Sequence, residues 1–182
     1  KDVKMKSETH RILKRILDDI RVEMTDEFDQ NFERQSFFGE AWQRRKSPIR
    51  QGGHILVDTG RLRRSIQSRT TDNSITFFTE EPYAAIHNEG GEIVVTTKMK
   101  RYFWHKYYET VGSFDRKKDG SRSNNKRTVQ LSEEAEFWRF MALKKAGTTI
   151  KIPRRRFLGT SPEVEKAVRE IIEENITEYI NF

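Results

Sequence analysis

Cysteine is absent from the 182 residues. That excludes disulfides, cysteine-based zinc sites and thiol catalysis, and it fits a reducing compartment. Long hydrophobic runs are missing too. No stretch approaches the ~20 consecutive apolar residues that span a bilayer, so no membrane partner is expected. Hydrophobic residues make up 34 % of the chain and charged residues 35 %. The expected core is therefore lean, helped by partners or set beside a disordered stretch. The sequence opens at Lys1 instead of Met, so it does not speak to a cleaved leader.

Signatures of chemistry are equally sparse. The histidines are His10, His54, His87 and His105, and none stands at i, i+4 spacing to another. A metal centre needs three or four converging ligands, so neither metal nor cofactor is expected. His87-Asn88-Glu89 superficially resembles a nuclease motif of the His-Asn-His kind. That motif needs further histidines around a metal, and a hydrogen-bonded loop histidine is the expectation here. There is no Gly-x-Ser-x-Gly elbow. Gly52-Gly53 lacks the Walker lysine, and Gly90-Gly91 is no dinucleotide fingerprint. Asp18-Asp19 and Glu80-Glu81 are adjacent, so their side chains diverge and are read as solvated.

What is present is positive charge, unevenly spread. The net charge is +7. It comes from residues 44–64 and 98–130, whereas residues 65–97 are acidic. Such patches attract nucleic acid or the acidic face of another protein. Lys98, Lys100 and Arg101 precede Tyr102-Phe103-Trp104, a mixture that suits single-stranded nucleic acid. Core rings overlaid by lysine and arginine stems explain it more simply.

Ile12, Ile16, Ile20, Met24, Phe28 and Phe32 recur at every fourth position beside Leu13 and Leu17. This predicts a long N-terminal helix with one buried face, capped at Ser7 or Thr9. Residues 36–60 read as an irregular segment whose Phe37, Phe38 and Trp42 must dock somewhere. Asp58-Thr59-Gly60 predicts a turn launching a short helix, capped by Asp58 or Thr59, with Leu62 and Ile66 inward. Residues 66–70 and 74–79 form a hairpin candidate turning at Asp72-Asn73, and Pro82 ends it. Residues 92–97 read as a strand and residues 100–111 as an aromatic-faced helix. Residues 112–130 read as a flexible basic loop. Another helix follows over 133–145, capped by Ser132, and then a strand over 148–152. Ser161-Pro162-Glu163 opens a terminal helix, with serine as cap and proline at the first helical position.

The sum is an α+β fold. A single domain over residues 1–182 holds an antiparallel sheet of about four strands packed by the long N- and C-terminal helices. Residues 98–147 form a basic helical insertion.

Three blocks are more specific. Ile55 to Ile66, containing Val57-Asp58-Thr59-Gly60-Arg61-Leu62-Arg63-Arg64-Ser65, resembles the VDTGRLRRSI block of the phage virion morphogenesis family, the Mu-like tail completion proteins. Tyr83 to Gly91 is similar to that family's YAAIHNEG block, and Ile152-Pro153 through Phe157-Leu158-Gly159 to its IPxRxFLG block. The blocks stand in the family's order. Arg154-Arg155-Arg156 occupies the place where Ala-Arg-Pro is frequent, and the 98–147 insertion exceeds that of compact members.

The resemblance implies a structural protein for tail completion or head–tail joining, without catalysis or cofactor. It implies a homo-oligomeric ring among other tail and connector proteins, on the virion and in the bacterial cytoplasm during assembly. Asp58, Thr59, Gly60, Tyr83, His87, Asn88, Gly90, Phe157, Leu158 and Gly159 are read as fold-specifying. Lys98, Lys100, Arg101, Arg116, Lys117, Lys118, Arg154, Arg155 and Arg156 are read as contacts to a partner or to DNA. The competing expectations are a nucleic-acid-binding protein and a metal-dependent nuclease acting at His87.

Overall fold

A computed structural model describes residues 2–49 and 52–181. Arg50, counted in the first basic segment, lies outside the described residues. The chain divides into two compact units. One runs to Gln43, resumes over His54–Glu89 and continues from Arg154 onward; the other holds Arg44–Gly53 and Gly90–Pro153.

The first unit is built on α1 (Asp2–Arg34). The helix begins upstream of Ser7 and Thr9, so neither is its cap. Its apolar stripe is buried as the fourfold spacing requires: Ile16, Leu17, Ile20, Met24, Phe28 and Phe32 are all inside. At the C-terminal end Gln35 turns left-handed at φ 55°. The chain then doubles back through a small hairpin of β1 (Ser36–Phe37) and β2 (Glu40–Ala41). After the short α2 (Arg61–Arg64) come β3 (Gln67–Thr70) and β4 (Ile75–Phe78), paired antiparallel with Gln67 opposite Phe78. This is the expected hairpin, with Thr71 and Ser74 bonded across its turn. Then α3 (Ala84–Glu89) completes the middle of this unit.

Two apolar clusters hold the unit together. In one, Ile16, Ile20, Met24 and Phe28 of α1 pack with Phe37 and with Val164 and Ile171 of the terminal helix. In the other, Phe32, Trp42, Leu62, Ala84 and Phe157 meet. Full burial of one such side chain contributes about 1.5–3 kcal/mol.

The second unit contains β5 (Gly91–Val94), α4 (Thr97–Gly112), α5 (Lys126–Leu143) and β6 (Thr149–Ile152). Phe103, near the start of α4, stacks on Trp138, near the end of α5, with ring centroids 6.0 Å apart. The other end of the pair is closed by Asp115 and Thr128, so the helices run antiparallel. Ala135 and Ala142 are buried and let the helices approach closely. The terminal helix α6 (Pro162–Ile180) returns to the first unit. Ser161 is its cap and accepts from the Val164 N–H at 3.3 Å, as the Ser-Pro-Glu pattern requires.

Two expectations need correction. The sheet of about four strands is not formed: the described residues hold three separate two-stranded antiparallel sheets. Between β4 and β5 the chain forms α3, and Gly90 and Gly91 then redirect it with φ 74° and 151°. In consequence β5 pairs with the distant β6, Gly91 opposite Ile152, and not with the hairpin. The second correction concerns residues 112–130. The expected loop ends sooner than its Gly, Ser and charges suggested: α5 already starts at Lys126, capped by Asn125, and Ser132 lies inside it. The remainder is closed by hydrogen bonds radiating from Asp115.

Candidate functional site

The three sequence blocks lie for the most part in the first unit; the second and third are bonded to each other, and the first to α1 and Glu81. In the first block Gly60, at φ +72°, precedes α2 with no side-chain cap bond. Gly60 takes the cap position itself; Asp58 is exposed, and Thr59 Oγ1 accepts from the Arg61 N–H at 3.4 Å. Three arginines work instead. Arg64 donates to the Thr59 carbonyl at 2.8 Å and Arg61 Nε to Glu81 at 2.6 Å. Arg63 clasps Asp29 with two bonds of 2.5 Å and also reaches Glu33, both on α1. The Arg63 hydrogen bonds hold the Asp29 carboxyl below its usual range against the desolvation that burial imposes, and the guanidinium is in turn held more firmly protonated.

Asn88 is the hinge of the second block. Its side-chain oxygen accepts from the consecutive N–H groups of Phe157 and Leu158 at 2.9 and 3.0 Å. Its amide nitrogen donates to the Leu158 carbonyl at 3.0 Å and to Glu89 at 2.6 Å. Every donor and acceptor position of the carboxamide is thus filled. Its neighbour His87 is half-buried, its ring 6.2 Å edge-on from Tyr83, and its carbonyl accepts from the Arg155 N–H. Desolvation first, and the Arg155 charge second, push the His87 pKa below its ordinary value. Its Nδ1 is buried without a hydrogen-bond partner.

The third block is held from both sides. Phe157 is fully buried, 5.3 Å from the Phe32 ring. Trp42 Nε1 donates to the Arg156 carbonyl at 2.6 Å, and Asn31 donates to that of Phe157 at 3.4 Å. Asn31 also accepts from the Phe38 N–H at 3.2 Å. The arginine run divides. Arg154 is exposed, Arg155 Nε donates to the Gln43 carbonyl at 3.0 Å, and Arg156 lies 4.6 Å over the Phe37 ring while bonding Thr160. Gly159 takes φ +135° directly under Arg156.

Asn31 was not singled out from the sequence; Arg63 stood in the first block and Trp42 among the docking aromatics, but neither was read as fold-specifying. Asn31 carried a signal: it sits three residues after Phe28 on the apolar stripe of α1, where a buried amide requires partners.

The other predicted cations lie in the second unit. Lys98 and Lys100 stand in the first turn of α4, behind the Thr96 cap, and Arg101 follows it. That turn carries no acid, although the helix N-terminus favours one by about 0.3–1 kcal/mol. Arg116, Lys117 and Lys118 stand exposed between α4 and α5.

A groove of about 550 Å³ opens in the first unit between α1, the hairpin tip and α6; Leu13, Leu17, Phe77, Leu158 and Val168 are among its lining residues. No ionisable side chain lines it, so it offers no acid or base. Among the described residues no three His, Asp or Glu side chains gather as metal ligands, around His87 or elsewhere. No helix of the described residues is long and apolar enough to cross a membrane.

The interlocked blocks are those whose order suggested a family, and the family model of the phage virion morphogenesis family matches residues 4–177. The chain belongs to the phage virion morphogenesis family. Neither the curated proteins nor the solved structures contain a match. Membership assigns this virion morphogenesis protein a structural or assembly role among other virion proteins. In it, Asp58 to Gly60, Tyr83 to Glu89 and Phe157 to Gly159 all lie in the first unit.

Proposed function

We propose that the protein completes the phage tail or joins it to the head, as a non-catalytic subunit that assembles stoichiometrically into a ring. The supporting observation is the Asn88 clamp. The residue with the most versatile polar group in the motif blocks spends all of it on the backbone of Phe157 and Leu158 and on Glu89. A group so committed builds a rigid body and is not free to turn over a substrate. A ring needs a head-to-tail interface that closes on itself, and the groove of the first unit and the basic surface of the second are the surfaces offered to neighbours. On this reading the protein works in the virion, after assembly in the bacterial cytoplasm.

Deletion of the gene from the phage or prophage tests the reading. Electron microscopy is expected to show heads and tails accumulating unjoined, or tails of faulty length, and the wild-type gene restores complete particles containing a fixed number of copies. Infectious particles of normal form in the absence of the protein would overturn it.

A further inference from the structure

The segment joining α4 to α5 is a closed finger. Arg116 and Arg122 face each other in an antiparallel bridge. The Lys117 N–H donates to the Ser121 carbonyl at 2.8 Å and the Gly120 N–H to the Lys117 carbonyl at 2.9 Å, which makes residues 117–120 a tight turn. The base is pinned through Asp115. Its N–H donates to Thr128 at 3.2 Å, its carbonyl accepts from the Ser123 N–H at 2.8 Å, and its carboxylate accepts from Asn125 at 2.8 Å and from Arg127.

The acids of this finger are turned to internal work. Asp115 serves the base, and Asp119 accepts from the Ser121 N–H and hydroxyl at 2.9 and 2.6 Å. Of the cations, the two lysines are left outward. Lys117 and Lys118 are exposed and have no ion-pair partner among the described residues; Arg122 lies 4.6 Å over the Phe114 ring and bonds Ser132, and Arg116 donates to the Gly120 carbonyl. The tip thus holds positive charge on a backbone already ordered, so binding there costs little conformational entropy.

We propose that this finger grips the sugar–phosphate backbone of double-stranded DNA, with Lys117 and Lys118 as the phosphate contacts and Arg116 and Arg122 behind them. The proposal rests on the assembly reading, which brings DNA to the protein. Chemistry favours DNA over an acidic protein. Protein interfaces are anchored by desolvated aromatic and apolar side chains and are depleted in lysine. From Arg116 to Ser123 the finger has no apolar side chain, only lysines, arginines, serines, Asp119 and Gly120. Flexible ammonium groups and hydroxyls suit phosphates, which position a protein without reading sequence.

The test is fluorescence anisotropy of a labelled duplex of mixed sequence with the full chain, across a salt series. Each lost phosphate contact removes about 0.9 from the slope of log affinity against log salt. Lys117→Gln/Lys118→Gln is therefore expected to flatten the slope by about 2. Lys117→Arg/Lys118→Arg should restore it. Lys166→Gln/Arg169→Gln on α6, equal in charge lost, should leave it unchanged. Because Lys117 and Lys118 are exposed and pair with no acid among the described residues, the variants should melt with the wild type. An unchanged slope in the glutamine variant overturns the proposal, as does polyglutamate binding as tight as that of the duplex. Loss of the finger slope effect with normal particle assembly sinks the finger and leaves the assembly reading standing. Normal particles without the protein sink that reading, while a retained slope effect still supports the finger.

Discussion

Arg63 and Asp29 meet fork to fork, each bond 2.5 Å long, and tie the first motif block to the long helix. The Arg63 side chain is 23 % exposed and that of Asp29 38 %, so solvent screens the pair and about 1 kcal/mol is a fair magnitude. Because the folded pKa of Asp29 is depressed, its contribution is complete above the unfolded value of about 3.9 and is lost as pH falls through the lower folded value. Arg63→Ala should lower the urea midpoint at neutral pH, and the gap from wild type should narrow in acid. Arg63→Lys should recover only part, since a point charge cannot repeat the bidentate geometry. A gap that is the same at both pH values would contradict the assignment.

Asn88→Ala should be costlier than its half-exposed position suggests. It leaves the N–H groups of Phe157 and Leu158 without an acceptor, and each buried orphan costs about 1–3 kcal/mol. We expect a total loss of about 2–4 kcal/mol and faster amide exchange at Phe157 and Leu158. Asn88→Asp keeps the acceptor but removes the donor to the Leu158 carbonyl, so its amides should stay protected. Equal exchange in both variants would show that the amides are held by something else.

How far the sequence predicts this architecture depends on the range of the interaction. The α1 stripe from Ile16 to Phe32, the hairpin from Gln67 to Phe78 and the Ser161 cap rest on neighbours along the chain, and they were legible. The partner of β5 was not. Val94 pairs with Thr149 across the helical pair, a choice made by the turn at Gly90 and by packing, and strand propensity does not encode it. The contacts within residues 113–125 were hidden for a related reason. Composition marks them as loose, yet Asp115 finds Asn125, Arg127 and Thr128 across the connection. In the candidate site, the blocks were visible and Asn88 stood among the residues read as fold-specifying. The clasp of Arg63 and the bond from Trp42 to the Arg156 carbonyl needed the fold, because the partners lie 34 and 114 residues apart.

His87 makes the unit sensitive to mild acid. Burial and the neighbouring Arg155 depress its folded pKa. Between that value and the unfolded value of about 6.5, the unfolded chain binds the proton more readily, so stability falls as pH falls through this window and levels off below it. His87→Gln removes the proton-binding group. Its stability relative to wild type should therefore improve as pH drops below about 6.5, read from thermal melts in a buffer series. A constant difference across the series would remove His87 from the pH response.

Gly60 and Gly159 should differ in their tolerance of alanine, although both have positive φ. Gly60 lies in the left-handed well at φ +72°, where an L residue costs about 1–2 kcal/mol. The atom its Cβ would meet, Arg64 Nη1 at 2.6 Å, is the far end of a flexible side chain. Gly159 sits at φ +135°, outside that well, and its Cβ would meet Arg156 Nη2 at 2.8 Å. Arg156 is less free to yield, because it is stacked on Phe37 and bonded to the Thr160 carbonyl. Gly60→Ala is expected to lower stability by about 1–2 kcal/mol and Gly60→Asn by less, since asparagine visits that well. Gly159→Ala and Gly159→Asn should both cost more than either. Denaturant midpoints of the four variants decide it, and a Gly159→Asn as mild as Gly60→Asn would show that the backbone there relaxes without Arg156 holding it.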